Sequence, residues 1–346
     1  MPDSDGPWPR RDVLRSAAYA VVLVAGTWWL LGQWAGVLRP LLLAIFLAYT
    51  LLPFYSRIRR HGVPAPVVIV VLAGTVVLGF ALITQMLSVS GRALAKELPT
   101  LQQRFAELTD MNLDPLRQRF PWLPKVNANM APSEELTAFV SGLAISTGGG
   151  IIEGATAGLY LLFLLLGAEK LPDRVRKAYP GPDGDRILHV AGGINSAIVS
   201  YLRAKVISSL ILASAAGVVL ILFSVKFVAV WVILTFLCNF IPYVGSVVSY
   251  TLPVSYAVLQ LPPWTAPLLL AILLLGVQIA SATLVEPMLI GRAVGLSPLI
   301  ILAALAIWGT VWGLPGMFLA VPLTVVLKII LENIEGTRPL AKMVEE

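Results

Sequence analysis

Between Arg186 and Glu286 the chain holds no acidic residue, and its only basic ones are Arg203, Lys205 and Lys226. A water-soluble fold cannot cover about a hundred such residues, whereas runs of ~20 apolar residues suit the ~30 Å hydrocarbon core of a bilayer. The rest of the sequence agrees. Of 346 residues, 58% are hydrophobic and 13% charged, against roughly 45–50% and about 25% in soluble domains. The sequence predicts an all-α polytopic membrane protein whose partner is the lipid bilayer.

The net charge of +6 raises the question of nucleic acid, and the placement of the basic residues answers it. They flank apolar runs, as Arg10, Arg11 and Arg15, then Arg57, Arg59 and Arg60, then Lys170, Arg174, Arg176 and Lys177. That is the positive-inside distribution of cytoplasmic loops and not a nucleic-acid footprint. The single cysteine, Cys238, excludes an internal disulfide and a cysteine metal cluster. His61 and His189 lie far apart in cytoplasmic segments, so no metal and no cofactor are expected. No H-E-x-x-H, G-x-S-x-G or Walker A pattern occurs. The first apolar run is too long for a typical signal-peptide core, ends in Trp28 and Trp29, and leads into more membrane sequence, so it reads as a retained helix.

Apolar runs at 14–32, 38–55 and 65–88 read as three spanning helices within an amino-terminal unit, 1–88. Residues 89–145 carry six basic and six acidic residues with several prolines, and read as a partly helical extracytoplasmic subdomain. A fourth span within 146–168 has Gly150, Gly154 and Gly158 at helical spacing, a face on which another helix can approach closely. The charged, amphipathic stretch 169–205 is expected in the cytoplasm, followed by a carboxy-terminal core, 206–335, and a tail, 336–346. Both termini are expected to be cytoplasmic.

Within that core, 206–224 and 264–286 read as full spans. By contrast, 227–240 and 247–260 are short arms around Pro242 and Gly245. At 1.5 Å per residue such an arm reaches only ~21 Å. The pattern recurs as 297–309 and 317–332 around a break holding Gly309, Gly313, Pro315 and Gly316. Irregular backbone at membrane depth survives where protein or a water-filled cavity surrounds it, and paired interruptions point to a solute site. The expected fold is therefore about six spanning helices plus two re-entrant hairpins, or eight and more membrane segments if the arms cross fully.

The breaks carry recognisable motifs: Asn239-Phe240-Ile241-Pro242-Tyr243-Val244-Gly245; Glu286-Pro287 through Gly291-Arg292-Ala293-Val294-Gly295-Leu296-Ser297-Pro298; Trp308-Gly309 through Trp312-Gly313-Leu314-Pro315-Gly316-Met317; and Ala320-Val321-Pro322-Leu323-Thr324. In this order and spacing they resemble the autoinducer-2 exporter (AI-2E) family of permeases. The resemblance implies a multi-pass transporter of the cell inner membrane, without cofactor, and not an enzyme. It is a family with members assigned to export of a small furanone signal and others to sodium/proton antiport. A small-molecule or ion substrate and assembly into a homo-oligomer are expected. Secondary transport or facilitation leads, with cation/proton antiport and a non-transporting membrane scaffold as alternatives.

Glu286 closes a helix with no other charge, so it is a candidate for proton or cation coupling; otherwise it is an interfacial carboxylate paired with Arg292. Arg292 could clamp Glu286 or an anionic solute through its planar fork, or anchor the cytoplasmic surface. Asn239 stands where Pro242 frees backbone carbonyls, as a cation ligand or as a helix cap. Gln278 reads as an interior polar group or a helix-to-helix hydrogen bond. Glu153, in the fourth span, is a second possible proton carrier.

Overall fold

The computed structural model describes residues 10–110, 147–168, 170–261, 265–290 and 295–334, and all regular structure among them is helical. The elements are α1 (Arg10–Gln33), α2 (Ala35–Arg60), α3 (Ala65–Asp110), α4 (Thr147–Ala168), α5 (Leu171–Ala178), α6 (Pro182–Leu222), α7 (Val228–Cys238), α8 (Val244–Gln260), α9 (Thr265–Ala280), a π-helical turn (Ser281–Val285), α10 (Glu286–Ile290), α11 (Pro298–Trp312) and α12 (Leu314–Asn333). Among the described residues, six segments are long and apolar enough to cross a membrane: Ala35–Arg60, Ala65–Glu97, Ile151–Ala168, Pro182–Leu222, Thr265–Leu289 and Leu314–Asn333. The chain is thus an all-α polytopic membrane protein. Leu, Ile and Phe side chains stay exposed along these helices, Leu159, Phe163, Leu210 and Leu268 among them, as hydrocarbon surroundings require.

Helix α3 runs unbroken for 46 residues, well past 88. At 1.5 Å per residue that is ~69 Å, more than twice the hydrocarbon thickness. The remainder of the expected extracytoplasmic subdomain, 111–145, lies outside the described residues, as do Arg292 and the tail. The glycine face of α4 packs on α3: a Cβ at Gly154 would overlap the Phe80 side chain, and one at Gly158 would overlap Val77. The backbones therefore approach closely, with Ile69, Leu161 and Leu165 buried between them and α2.

Helix α6 is also continuous, 41 residues through position 205. Its buried stripe includes Tyr201, Lys205, Ser208, Ser209, Leu212, Ala213 and Ala216, the three- and four-residue spacing of one helix face. The short arms form as the apolar runs dictate. Helix α7 has 11 residues and α8 has 17, ~16 and ~25 Å. The second hairpin departs from expectation. Its break shrinks to Gly313, at φ 67°, because α11 runs on through Gly309 to Trp312 and Pro315 falls in the first turn of α12, where its missing N–H is no loss. Helix α12 therefore has 20 residues and spanning length.

Candidate functional site

The two hairpins meet at their turns. Phe240, in the first turn, stacks on Phe318 of α12 at 4.6 Å between ring centroids. Phe46 of α2 closes on both, at 5.7 and 4.9 Å. Ile241 buries itself among Ala304 and Leu305 of α11 and Ala320 of α12. Glycine makes these turns compact: a Cβ at Gly245 would overlap the Cys238 carbonyl, and one at Gly316 the Trp308 carbonyl. The second turn is held from outside the hairpin, where the Trp312 indole donates to the Leu31 carbonyl at 3.0 Å. The result is an aromatic plug between elements some eighty residues apart.

A line of polar groups runs from this plug along one face of α6. Asn239 Nδ2 donates to Ser209 Oγ at 2.9 Å, both side chains buried. One turn back, Lys205 Nζ pairs with Glu286 Oε1 at 2.5 Å; the side chains are 6% and 27% exposed. Tyr201, a further turn back, is buried within electrostatic reach of the Glu286 carboxylate. Glu286 owes its position to the π-helical turn: its N–H donates to the Ser281 carbonyl, five residues earlier. Such single-turn bulges concentrate at functional sites. The Ser281 hydroxyl is buried with no partner among the described residues, which is costly unless something bonds it.

The structure thus joins two of the candidate residues, Asn239 and Glu286, through α6. Pro242 and Gly245 shape the first turn, and Gly309 faces Met317 across the second. Gln278 is half-buried on α9, and Glu153 is exposed on α4, which packs on α2 and α3. Among the described residues Glu286 pairs with Lys205; Arg292, the partner the sequence offered, lies outside them. Lys205 escaped notice because charge assigned it to the cytoplasmic stretch. The signal was its register: it stands at helical spacing from Ser208, Ser209 and Leu212, on the buried face of α6.

The AI-2E family transporter pattern matches residues 18–336. The chain belongs to the AI-2E transporter family. It is similar to "Putative transport protein YhhT" of Escherichia coli strain K12, 29% identical over 351 residues, covering 99% of this chain and 95% of that protein. It is 29% identical to "AI-2 transport protein TqsA" of the same strain over 315 residues, 90% of each chain. "Putative permease PerM", also from that strain, is 28% identical, covering 94% of this chain and 95% of that protein.

This AI-2E transporter, a multi-pass membrane protein, has a second polar cluster at the base of the first hairpin. Lys226 Nζ, in the α6–α7 turn, pairs with Glu97 Oε1 of α3 at 2.7 Å, and the Tyr256 hydroxyl of α8 donates to Glu97 Oε2 at 3.0 Å. Gln260 ties the end of α8 to the same turn, accepting from the Lys226 N–H at 2.8 Å and donating to the Ser224 carbonyl at 3.0 Å. The α3 extension is therefore fastened to the hairpin base.

Proposed function

We propose that this AI-2E protein is a secondary transporter that moves a small solute between the two hairpins, with Glu286 as the group that couples flux to a proton gradient. The observation that carries the reading is the Lys205–Glu286 pair, set inside two spanning helices and one turn from the plug. With Glu286 ionised the two charges cancel and the helices stay closed. A proton arriving on the Glu286 carboxylate leaves the Lys205 ammonium buried without a counter-charge. Losing one partner of a buried pair costs about 3–5 kcal/mol, enough to shift an equilibrium between two states that differ by a few kcal/mol. Separation of α6 from α10 would loosen Ser209 from Asn239, and with it the turn that carries Phe240.

The relative TqsA is named for AI-2 transport, which makes a small signal of that kind the first cargo to test. Both termini and loops 56–64 and 169–204 face the cytoplasm in this reading, supported by the basic last turns of α2 and α5. The test is flux into proteoliposomes under an imposed pH gradient, comparing wild type with the double variant Glu286→Gln/Lys205→Met, which removes both charges together. Loss of gradient-driven flux from a folded double variant is expected; unaltered flux and pH profile would sink the coupling role.

A further inference from the structure

At the base of the first hairpin, some distance along α6 from the Lys205–Glu286 pair, a cavity of about 340 Å³ opens between α3, α8 and the α6–α7 turn. That volume falls in the range of small-molecule sites, roughly 300–1,000 Å³. Its polar lining is unbalanced. Its charged and amide acceptors already receive donors: both Glu97 oxygens accept, from Lys226 and Tyr256, and the Gln260 side-chain oxygen accepts from the Lys226 N–H. The Leu259 and Gln260 carbonyls both accept from Arg104 Nη1, at 3.3 and 3.2 Å. The donors are in surplus. A guanidinium has five N–H groups in a fixed fork and an ammonium three; among the described residues Arg104 bonds through Nη1 alone, and Lys226 Nζ makes one bond. Arg104 and Lys226 against Glu97 also leave one net positive charge. Leu101, Leu259 and the Tyr256 ring supply an apolar wall.

We propose that this cavity binds a small organic monoanion, with its carboxylate or phosphate oxygens on Arg104 and Lys226 and its apolar body against Leu101, Leu259 and Tyr256. An anion there meets uncommitted donors and one excess positive charge, whereas a cation would meet a carboxylate already neutralised by Lys226. A planar fork is the donor best matched to an oxyanion. A free organic acid and a phospholipid headgroup share this chemistry. The site stands apart from the coupling role of Glu286, and its binding is measured without any gradient.

Trp231 supplies the readout. It is buried, its indole donates to the Lys226 carbonyl at 3.0 Å, and its ring lies 5.5 Å from that of Tyr256. The full chain in dodecyl maltoside, titrated with sodium benzoate at constant ionic strength, is expected to give a saturable fluorescence change, absent from Trp231→Phe, with Kd of about 1 mM or tighter. Arg104→Gln is expected to weaken binding at least tenfold. Arg104→Lys, which keeps the charge and a bond to the α8 carbonyls, weakens it several-fold, and Lys226→Met does the same should Arg104→Gln fail to fold. Competition by added short-chain phosphatidylglycerol would support the site and assign its natural occupant to a headgroup; absence of competition would support it with a free acid. A titration that never saturates, or Arg104 and Lys226 variants that bind as wild type does, would overturn the proposal.

Discussion

A lysine–glutamate pair stands near each end of the first hairpin, one joining α6 to α10 beside its turn and one at its base, and the two pairs differ in surroundings more than in geometry. At the turn end, Lys205 and Glu286 meet at 2.5 Å with Lys205 only 6% exposed; at the base, Lys226 and Glu97 meet at 2.7 Å with Lys226 56% exposed. Water can replace either partner at the base, so that pair is worth little by itself. Beside the turn the Lys205 ammonium is buried while Glu286 is 27% exposed, so it is the lysine that depends on its partner. The same two residue types thus form a solvent-reached tether at one end and a pair with a buried lysine at the other.

The largest effect is expected from Glu286→Gln alone, which strands the Lys205 ammonium and lowers stability by about 3–5 kcal/mol. Thermal unfolding in detergent reads it, and adding Lys205→Met is expected to recover most of the loss. If the single variant melts as wild type does, the two ends are alike and the contrast fails. Phe240→Ala removes the ring shared by Phe46 and Phe318, with a cost of about 3 kcal/mol. It is also expected to raise gradient-independent leak of small solutes from loaded vesicles, which Phe163→Ala on an exposed face of α4 does not. Equal leak from both variants would show that the plug seals nothing.

A smaller loss, about 1–2 kcal/mol, is expected from Asn239→Ala, which leaves the buried Ser209 hydroxyl without its partner. Slower flux at unchanged membrane content would place that bond in the transport cycle. Smallest is Lys226→Met, at about 0–1 kcal/mol. Its effect is expected to fade as salt rises from low ionic strength, whereas that of Glu286→Gln persists, because screening reaches exposed pairs first. A salt-insensitive loss at Lys226 would mean that the base pair is also shielded from water.

Much of this architecture was legible without coordinates. The spanning runs, the first turn around Pro242 and Gly245, and the packing face of Gly154 and Gly158 follow from local properties: apolar length, a missing N–H, a missing side chain. The second turn was legible in place but not in extent, since Pro315 reads as a breaker in sequence and serves as a helix start in the fold.

Membrane character, the helical elements and the family follow from the sequence by itself, because burial in lipid is a sum over neighbouring residues and motifs are short. Only the tertiary structure decided that Lys205 answers Glu286, 81 residues away, that a π-helical turn sets the carboxylate on α6, and that Phe240 and Phe318 close one plug. Those are matters of which helix faces meet. Facing is decided by packing across the whole bundle, and no local spacing encodes it.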